Sequence, residues 1–417
     1  MKLRSSLRPI LSMPEISHWA ILVATMAAVV VTTGGCASVR NRLSQSSREL
    51  VLEPTFIRAT PEKEFFAYRR LNRMTPVLTE QYVIQGNAID GLVVYNRKNG
   101  FEAWRLPIEN GVEGGVELSG ETLYFGGGDG LLRSVNLKKG TVNWTVPMRA
   151  ELLAPPTLEN SMLFAQTGAD VIYGLEASSG KLMWTYNRQV TGNLSVRATT
   201  RPVVAGELLL VGFSDGYVVA LRKRDGVVQW ERKLGRGNRF RDVDSTATIN
   251  GNRAYFASYD GQLAALKIDS GEVIWQTDVG GYLPVTQGTG SQADRLYLAT
   301  ADGRVVELDE ATGKELRSIK VKRGIATQPL ISKNLMIFGE SDGAVRVIDV
   351  ESFRTLAQYQ TGEGLMATPA MDRPRGEIWF ISSAANLYAM KLSYRRVAER
   401  FPWKKIDSSS AETSYSF

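Results

Sequence analysis

The chain has 417 residues, 22% of them charged, a formal net charge of +7, and a single His and a single Cys. One Cys excludes an internal disulfide framework, and one His excludes a metal cluster built on histidines. The length exceeds one ordinary small domain but suits one closed array of repeats.

At the N-terminus, Lys2, Arg4 and Arg8 precede an apolar stretch from Trp19 to Val31, which is too short for a comfortable membrane span. Thr32-Thr33-Gly34-Gly35-Cys36 follows. A basic region, an apolar core and small residues in that order spell a secretory signal. A Cys directly after small residues resembles the lipobox of bacterial lipoproteins, which implies cleavage after residue 35 and lipid on Cys36. Thr33 departs from that pattern, in which Leu is usual three residues before the Cys. The plainer alternative is an ordinary cleavage site beside a lone thiol. Lipoproteins of this kind typically carry three acyl chains, enough for stable anchoring. Ala37, rather than Asp, is the residue that sends such proteins to the outer membrane in many Gram-negative bacteria. The reading is therefore a signal peptide over 1–35, then a lipidated N-terminus and polar tether over 36–48.

From residue 90 onward one phrase repeats: Asp-Gly, a short apolar run, Gly, then Trp. It stands as Asp129-Gly130 with Gly140 and Trp144, Asp215-Gly216 with Gly226 and Trp230, and Asp260-Gly261 with Gly271 and Trp275. Asp90-Gly91 with Gly100 and Trp104 lacks one residue, and Ala169-Asp170 with Gly180 and Trp184 alters the opening. Asp302-Gly303 has Arg317 in place of Trp, Asp342-Gly343 keeps only the first half, and Ala384-Ala385 is a worn last copy. The eight openings, at 90, 129, 169, 215, 260, 302, 342 and 384, lie 39 to 46 residues apart. Strand-like content at a period near 40 residues marks a β-propeller with one four-stranded blade per repeat.

Within a repeat, runs such as Leu208–Val211, Leu296–Leu298 and Met336–Phe338 read as strands buried on both faces. Asp-Gly supplies the positive φ of a tight hairpin, and each Trp is large enough to fill the gap to a neighbouring blade. Pro156, Pro202, Pro329 and Pro369 recur ahead of the next run, as Pro does at strand entries. The eighth copy stops after Lys391-Leu392, and Leu50-Val51-Leu52 can supply its missing strand. The expected fold is all-β: an eight-bladed propeller over 49–394, closed by an N-terminal strand. The tail over 395–417 is basic and polar with no fixed structure expected, a solvated end rather than a contact for nucleic acid, lipid or peptidoglycan.

The composition argues against catalysis. His18 leaves with the signal, no nucleophilic Cys remains, and the Asp residues that recur sit in turns, where Asp is at home for structural reasons. Carboxylates alone still suit calcium, but these belong to hairpins, and Trp recurring at one place per repeat is blade packing. No catalytic residue, metal site, cofactor or nucleic-acid partner is expected. Repeats with this Gly and Trp phrasing also resemble those of quinoprotein dehydrogenases, so a pyrroloquinoline-quinone-dependent oxidoreductase is one alternative. An envelope lipoprotein binding peptidoglycan or polysaccharide is another.

The irregularities carry more. Trp-to-Trp spacings are 40 and 40, then 46 and 45, so extra length falls in 188–201 and 235–245. Both are connections between blades, on adjacent blades and one face. They hold Leu194-Ser195-Val196-Arg197 and Arg239-Phe240-Arg241-Asp242-Val243-Asp244. Composition leaves two readings open, a protein-binding patch of apolar anchors ringed by charge or two decorative loops whose charges pair. Repeats, lipobox and loops together resemble the BamB family, the propeller lipoproteins of the outer-membrane β-barrel assembly machine. In that family a Leu-x-Leu-Arg segment and an Asp-x-Asp segment bind the periplasmic POTRA domains of the central barrel assembly protein. The resemblance implies that Leu194 and Val196 bury against that partner while Arg197, Asp242 and Asp244 orient it, on surface loops outside the repeated core. Val196 replaces the second Leu. It further implies a periplasm-facing outer-membrane scaffold that contacts other assembly subunits and nascent outer-membrane proteins.

Overall fold

The computed structural model describes residues 48–61, 72–89, 91–188, 200–235 and 242–396. Residues 50–393 form one compact unit, and the second unit, 1–49 with 394–417, is described only at the ends of two strands. Eight four-stranded antiparallel sheets make up the described residues. In blades one to seven the strands pair in chain order, from a short inner strand to an outer one. Blade four shows the pattern with Val203–Ala205, Leu208–Gly212, Tyr217–Arg222 and Val228–Lys233. Its second and third strands are almost wholly buried, while its outer strand is largely exposed. Pro156, Pro202, Pro329 and Pro369 each stand one residue before an inner strand. The only helical element among the described residues is one 3₁₀ turn, Gly290–Gln292.

Blade eight is built from both ends of the chain. Ala370–Asp372, Glu377–Ile381 and Asn386–Arg396 supply three strands, and Arg48–Ala59 pairs beside Asn386–Arg396 as the fourth. The N-terminal strand thus closes the ring. Closure gives blade eight its fourth strand, so that each blade keeps only the short edges of a radial array.

The hairpin turns follow the repeat. Gly130, Gly216, Gly261 and Gly303 have φ between 75° and 91°. In blade three, where Ala169-Asp170 replaces Asp-Gly, the positive φ falls on Asp170 at 58°, and in blade eight on Ala385 at 64°.

The repeated Trp and the second Gly form one joint. Each indole N–H donates to a carbonyl of the next blade: Trp104 to Leu137 at 2.6 Å, Trp144 to Ala177 at 3.0 Å, Trp184 to Lys223 at 3.0 Å, Trp230 to Ile268 at 2.8 Å and Trp275 to Glu310 at 3.0 Å. The ring then lies against that blade's outer turn glycine. A Cβ on Gly271 would sit 2.5 Å from the Trp230 ring. Glycine is required there twice over, since φ is also +66°.

Where the repeat lapses, the joint is rebuilt. Arg317 replaces Trp in blade six and donates to the carbonyls of Val350, at 2.7 Å, and Glu351. Its guanidinium lies 4.1 Å from the ring of Phe353, which occupies the glycine's place at φ 55°. At the closing seam Phe56 of the N-terminal strand takes the indole's position against Gly100. Arg97 adds an ion-pair clasp across that seam, reaching Glu377 at 2.6 Å and Asp372 at 2.5 Å. Blade seven has Ala357 opposite Val347, at the position where blade five has Trp275 and blade six has Arg317. The following blade has no hairpin between its outer two strands, because they come from opposite chain ends, so no turn glycine waits for a Trp.

Two alanine variants separate the parts of this joint. Gly251→Ala, with φ +58° and nothing within 4 Å of a new Cβ, should cost about 1–2 kcal/mol for its backbone alone. Gly271→Ala must also displace Trp230, adding roughly 1–3 kcal/mol. Equal losses in equilibrium urea denaturation would show that the indole contact adds nothing.

Candidate protein-interaction site

The first long connection by its entry, and the second by both of its ends, meet one turn of blade four. Leu194, Val196 and Arg197 lie outside the described residues, as does Cys36, but the roots of their segments are defined. At the entry, Arg188 donates from Nε to Asp215 at 2.5 Å and from Nη1 to Glu231 at 2.9 Å. Its guanidinium stacks 4.4 Å from the Tyr217 ring centroid and 5.6 Å from that of Phe213. Burial works to lower its pKa, but the hydrogen bonds to Glu231, Asp215 and Tyr186 outweigh it and raise the value. At the exit, the Thr200 hydroxyl donates to Gln166 at 2.7 Å and meets the Gly212 backbone. Arg201 reaches Glu117 of blade two at 2.6 Å and Thr157 of blade three at 2.9 Å.

The second connection leaves through Leu234 and Gly235, whose N–H groups both donate to the Gly216 carbonyl. It returns through Val243, whose N–H donates to Phe213 at 3.1 Å. Val243 is buried in the core between blades four and five. Gly212 is a glycine because a Cβ there would collide with the Val243 carbonyl.

This packing corrects the expected placement of Asp242. Its side chain is fully buried, and its carbonyl accepts the Tyr259 N–H at 2.9 Å. The neighbouring contacts explain the placement: Val243 fills the core and Ser245 stitches to Ala257, so the Asp-x-Asp segment is already entering blade five. Asp242→Arg would therefore drive a cation into the interior, and it is not a clean surface probe.

Asp244 lies on the wall of the central channel, a cavity of about 530 Å³ lined from all eight blades by residues including Arg73, Arg201, Asp244, Tyr282, Gln328 and Thr368. Burial, then the charge of Asp242, push its carboxyl up to about 8, against the opposing pull of Arg73. Nearby Asp170 is also raised, first by burial, although Ser214 donates to it from both hydroxyl and backbone. No group of three His, Cys, Asp or Glu with metal-holding geometry occurs among the described residues. The indoles of the five repeat tryptophans are engaged in blade joints, so none of them faces the channel as a stacking platform.

Sequence reasoning missed Arg188, Arg201, Glu117 and Asp170. A signal existed for Arg188. Met148, Leu234 and Val321 occupy its repeat position, each donating its N–H to the second residue of the hairpin turn as Arg188 does to Asp170.

A family model described as outer membrane protein assembly factor BamB matches residues 89–287 and 260–394. The chain belongs to the BamB family. A BamB from Moranella endobia is 26% identical over 269 residues, covering 63% of this chain and 68% of the relative. The crystal structure of BamB from Moraxella catarrhalis superposes with a TM-score of 0.69 at 22% identity, covering 82% of this chain and 99% of that one. A europium-containing methanol dehydrogenase shares the fold at 10% identity with a TM-score of 0.65, covering 82% and 93%. That last likeness is of architecture alone. No helix among the described residues is long and apolar enough to cross a membrane.

The carboxyl of Asp244 generates a pH test. Its folded-state pKa of about 8 lies above its ordinary 3.8. The native state therefore keeps a proton that the unfolded chain releases, and the associated stability is complete at low pH and lost as pH rises toward 8. Thermal unfolding of the native protein should weaken from pH 5 to 8.5 relative to Asp244→Asn, by on the order of a few kcal/mol. Parallel curves for the two proteins would show that Asp244 titrates normally.

Proposed function

We propose that this chain is a non-catalytic scaffold of outer-membrane β-barrel assembly, anchored by lipid on Cys36 and facing the periplasm. The observation that carries the reading is the common mounting of the two long connections on one turn of one face, in a chain of the BamB family. The repeated Trp and turn Asp are used to build the ring, and the irregular connections are left to bind. In this reading the periplasmic domains of the central barrel assembly protein bury Leu194 and Val196, while Arg197 supplies the orienting charge. Asp242 is buried at the base of the second connection, while Asp244 lines the channel wall, from which it orients the partner. A rigid disc held beside the membrane keeps those domains in place while outer-membrane proteins are inserted. No substrate is transformed in this role.

Arg197→Glu should release the partner, since reversing an interface charge removes an attraction and adds a repulsion of several kcal/mol in order of magnitude. Leu194→Ala should cost less, on the order of 1–3 kcal/mol for a lost apolar anchor. Lys314→Glu, in an exposed turn of blade six, is the matched control. Co-purification of the partner, read beside thermal unfolding, decides the matter. Loop variants that stay fully bound, or a control that loses the partner equally, would place the interface elsewhere.

The anchor has its own test. Cys36→Ser should abolish lipid attachment and shift the protein out of the outer-membrane fraction. An unmodified Cys36 in the mass spectrum of the mature native protein would end that assignment. A quinone-dependent oxidoreductase would instead carry a visible chromophore when purified from its own host.

A further inference from the structure

Antiparallel pairing sorts the turns onto two faces of the ring. Those between the second and third strands, with the roots of the long connections, lie on one face. Those between the first and second strands, and between the third and fourth, lie on the other. The N-terminal strand enters on this other face, because just beyond its far end Thr60 donates its N–H to Ala385, in the opposite-face turn of blade eight, at 2.9 Å. The last strand leaves on the entry face too. There the Leu392 N–H donates to the Gly376 carbonyl at 2.9 Å and the Lys391 ammonium to the Arg375 carbonyl.

A strip of cations crosses the entry face over blades seven, eight and one. Arg373 lines one cleft with Lys333 and a second with Arg375, and Arg375 lines a third with Lys98. All four are exposed. Lys98, Lys333 and Arg373 have no ion-pair partner among the described residues, and Arg375 reaches Glu80 and Asp372 only at 4.0 Å. Nearby Asp372 and Glu377 are already held by Arg97, and Glu351 is the one carboxylate of the first cleft. In blades two, four and five, by contrast, Lys138, Lys223 and Lys267 each pair with a glutamate.

The local fold does not ask for these charges. Lys333 is held at φ 55°, in the turn position that Gly120, Gly206 and Gly251 occupy in blades two, four and five. That conformation suits glycine and strains a residue with a Cβ. The turn of blade eight has four residues, Arg373-Pro374-Arg375-Gly376, where blades two to five have two.

We propose that this strip docks on an anionic phospholipid surface, with blades seven, eight and one toward the membrane and the roots of the long connections away from it. The proposal deepens the reading that Cys36 carries lipid. Cys36 and Leu50 are 14 positions apart, which keeps Leu50 within about 50 Å of such an anchor. A lipid surface fits better than a soluble polyanion because the compact unit is entered and left on this same face. Each Lys or Arg near an anionic surface adds attraction, and salt weakens it.

The first arm of the test uses the chain from Ala37 onward, without signal or lipid, which keeps the compact unit 50–393 whole. It is mixed with vesicles of phosphatidylcholine alone, or of phosphatidylcholine and phosphatidylglycerol in equal parts. The native chain should sediment with the anionic vesicles only, and less as salt rises. Arg373→Glu with Arg375→Glu should weaken that binding on the order of tenfold or more, as should Lys98→Glu with Lys333→Glu. Lys139→Glu, exposed on blade two of the same face, should leave it unchanged. Thermal unfolding is read for each variant, and the two pairs are independent should one fail to fold. Binding to neither vesicle, equal binding to both, or an equal loss from Lys139→Glu would overturn the proposal. Retention on polygalacturonate but not on vesicles would make the strip a polysaccharide site instead.

The second arm uses the full lipidated protein in the same anionic vesicles. Lipid blocks the only native thiol, so Asn334→Cys on the strip and Ala301→Cys on the opposite face each take a single fluorophore. Energy transfer to labelled headgroups should be stronger from position 334, and equal transfer would refute the orientation. An unmodified Cys36 in the mass spectrum would remove the anchor while leaving the vesicle binding of the first arm to stand or fall by itself.

Discussion

An indole laid flat on a glycine is the contact from which the ring is built. A four-stranded blade has apolar faces on both sides and cannot bury them alone. Each outer-strand Trp covers part of the next blade and fastens itself there through its N–H. The turn glycine is what lets the ring approach, because any side chain would occupy the same space. Where the ring is replaced, the partner position is matched to what replaces it. Arg317 with Phe353 moves the ring to the turn of the next blade and puts a cation on the outer strand, and still delivers hydrogen bonds to the same stretch of backbone. The seam uses Phe56 on Gly100 and adds the buried clasp of Arg97 with Glu377 and Asp372.

A ring made this way commits its recurring chemistry to structure. Turn carboxylates cap hairpins or hold nearby Arg, as Asp129 does with Arg133 at 2.5 Å and Asp302 with Arg304 at 2.8 Å. The repeat tryptophans face neighbouring blades. Shared architecture with a dehydrogenase therefore does not bring shared chemistry, and distinctiveness concentrates where the period breaks. The breaks fall in the connections on either side of blade four, whose ends are tied to one hairpin by ion pairs, ring stacking and backbone hydrogen bonds.

The acidic residues near those connections have an unusual setting. Burial, and then the charge of Asp242, raises the proton affinity of Asp244, and burial with the nearby Asp215 and Asp242 does the same for Asp170, while Arg73 pulls Asp244 the other way from across the channel wall. Such a cluster stabilises the fold best when part of it is protonated.

The sequence by itself determined the eight blades, the strand closing from the N-terminus, the hairpin positions and the Trp joints. Each of these is written locally, in turn residues and apolar runs at a constant period, and repetition multiplies the signal. Arg317 was visible as a lapse, but its pairing with Phe353 was not, since the two lie 36 positions apart in different blades. The direction of the Asp242 side chain was decided only by tertiary structure: a loop pattern says where length is added, and the packing of Val243 against the next blade says which side faces inward. Arg188 shows the same limit. Its departure from the repeat can be read along the chain, whereas the carboxylates and rings that give it a role come together only when blade four folds beside blade three.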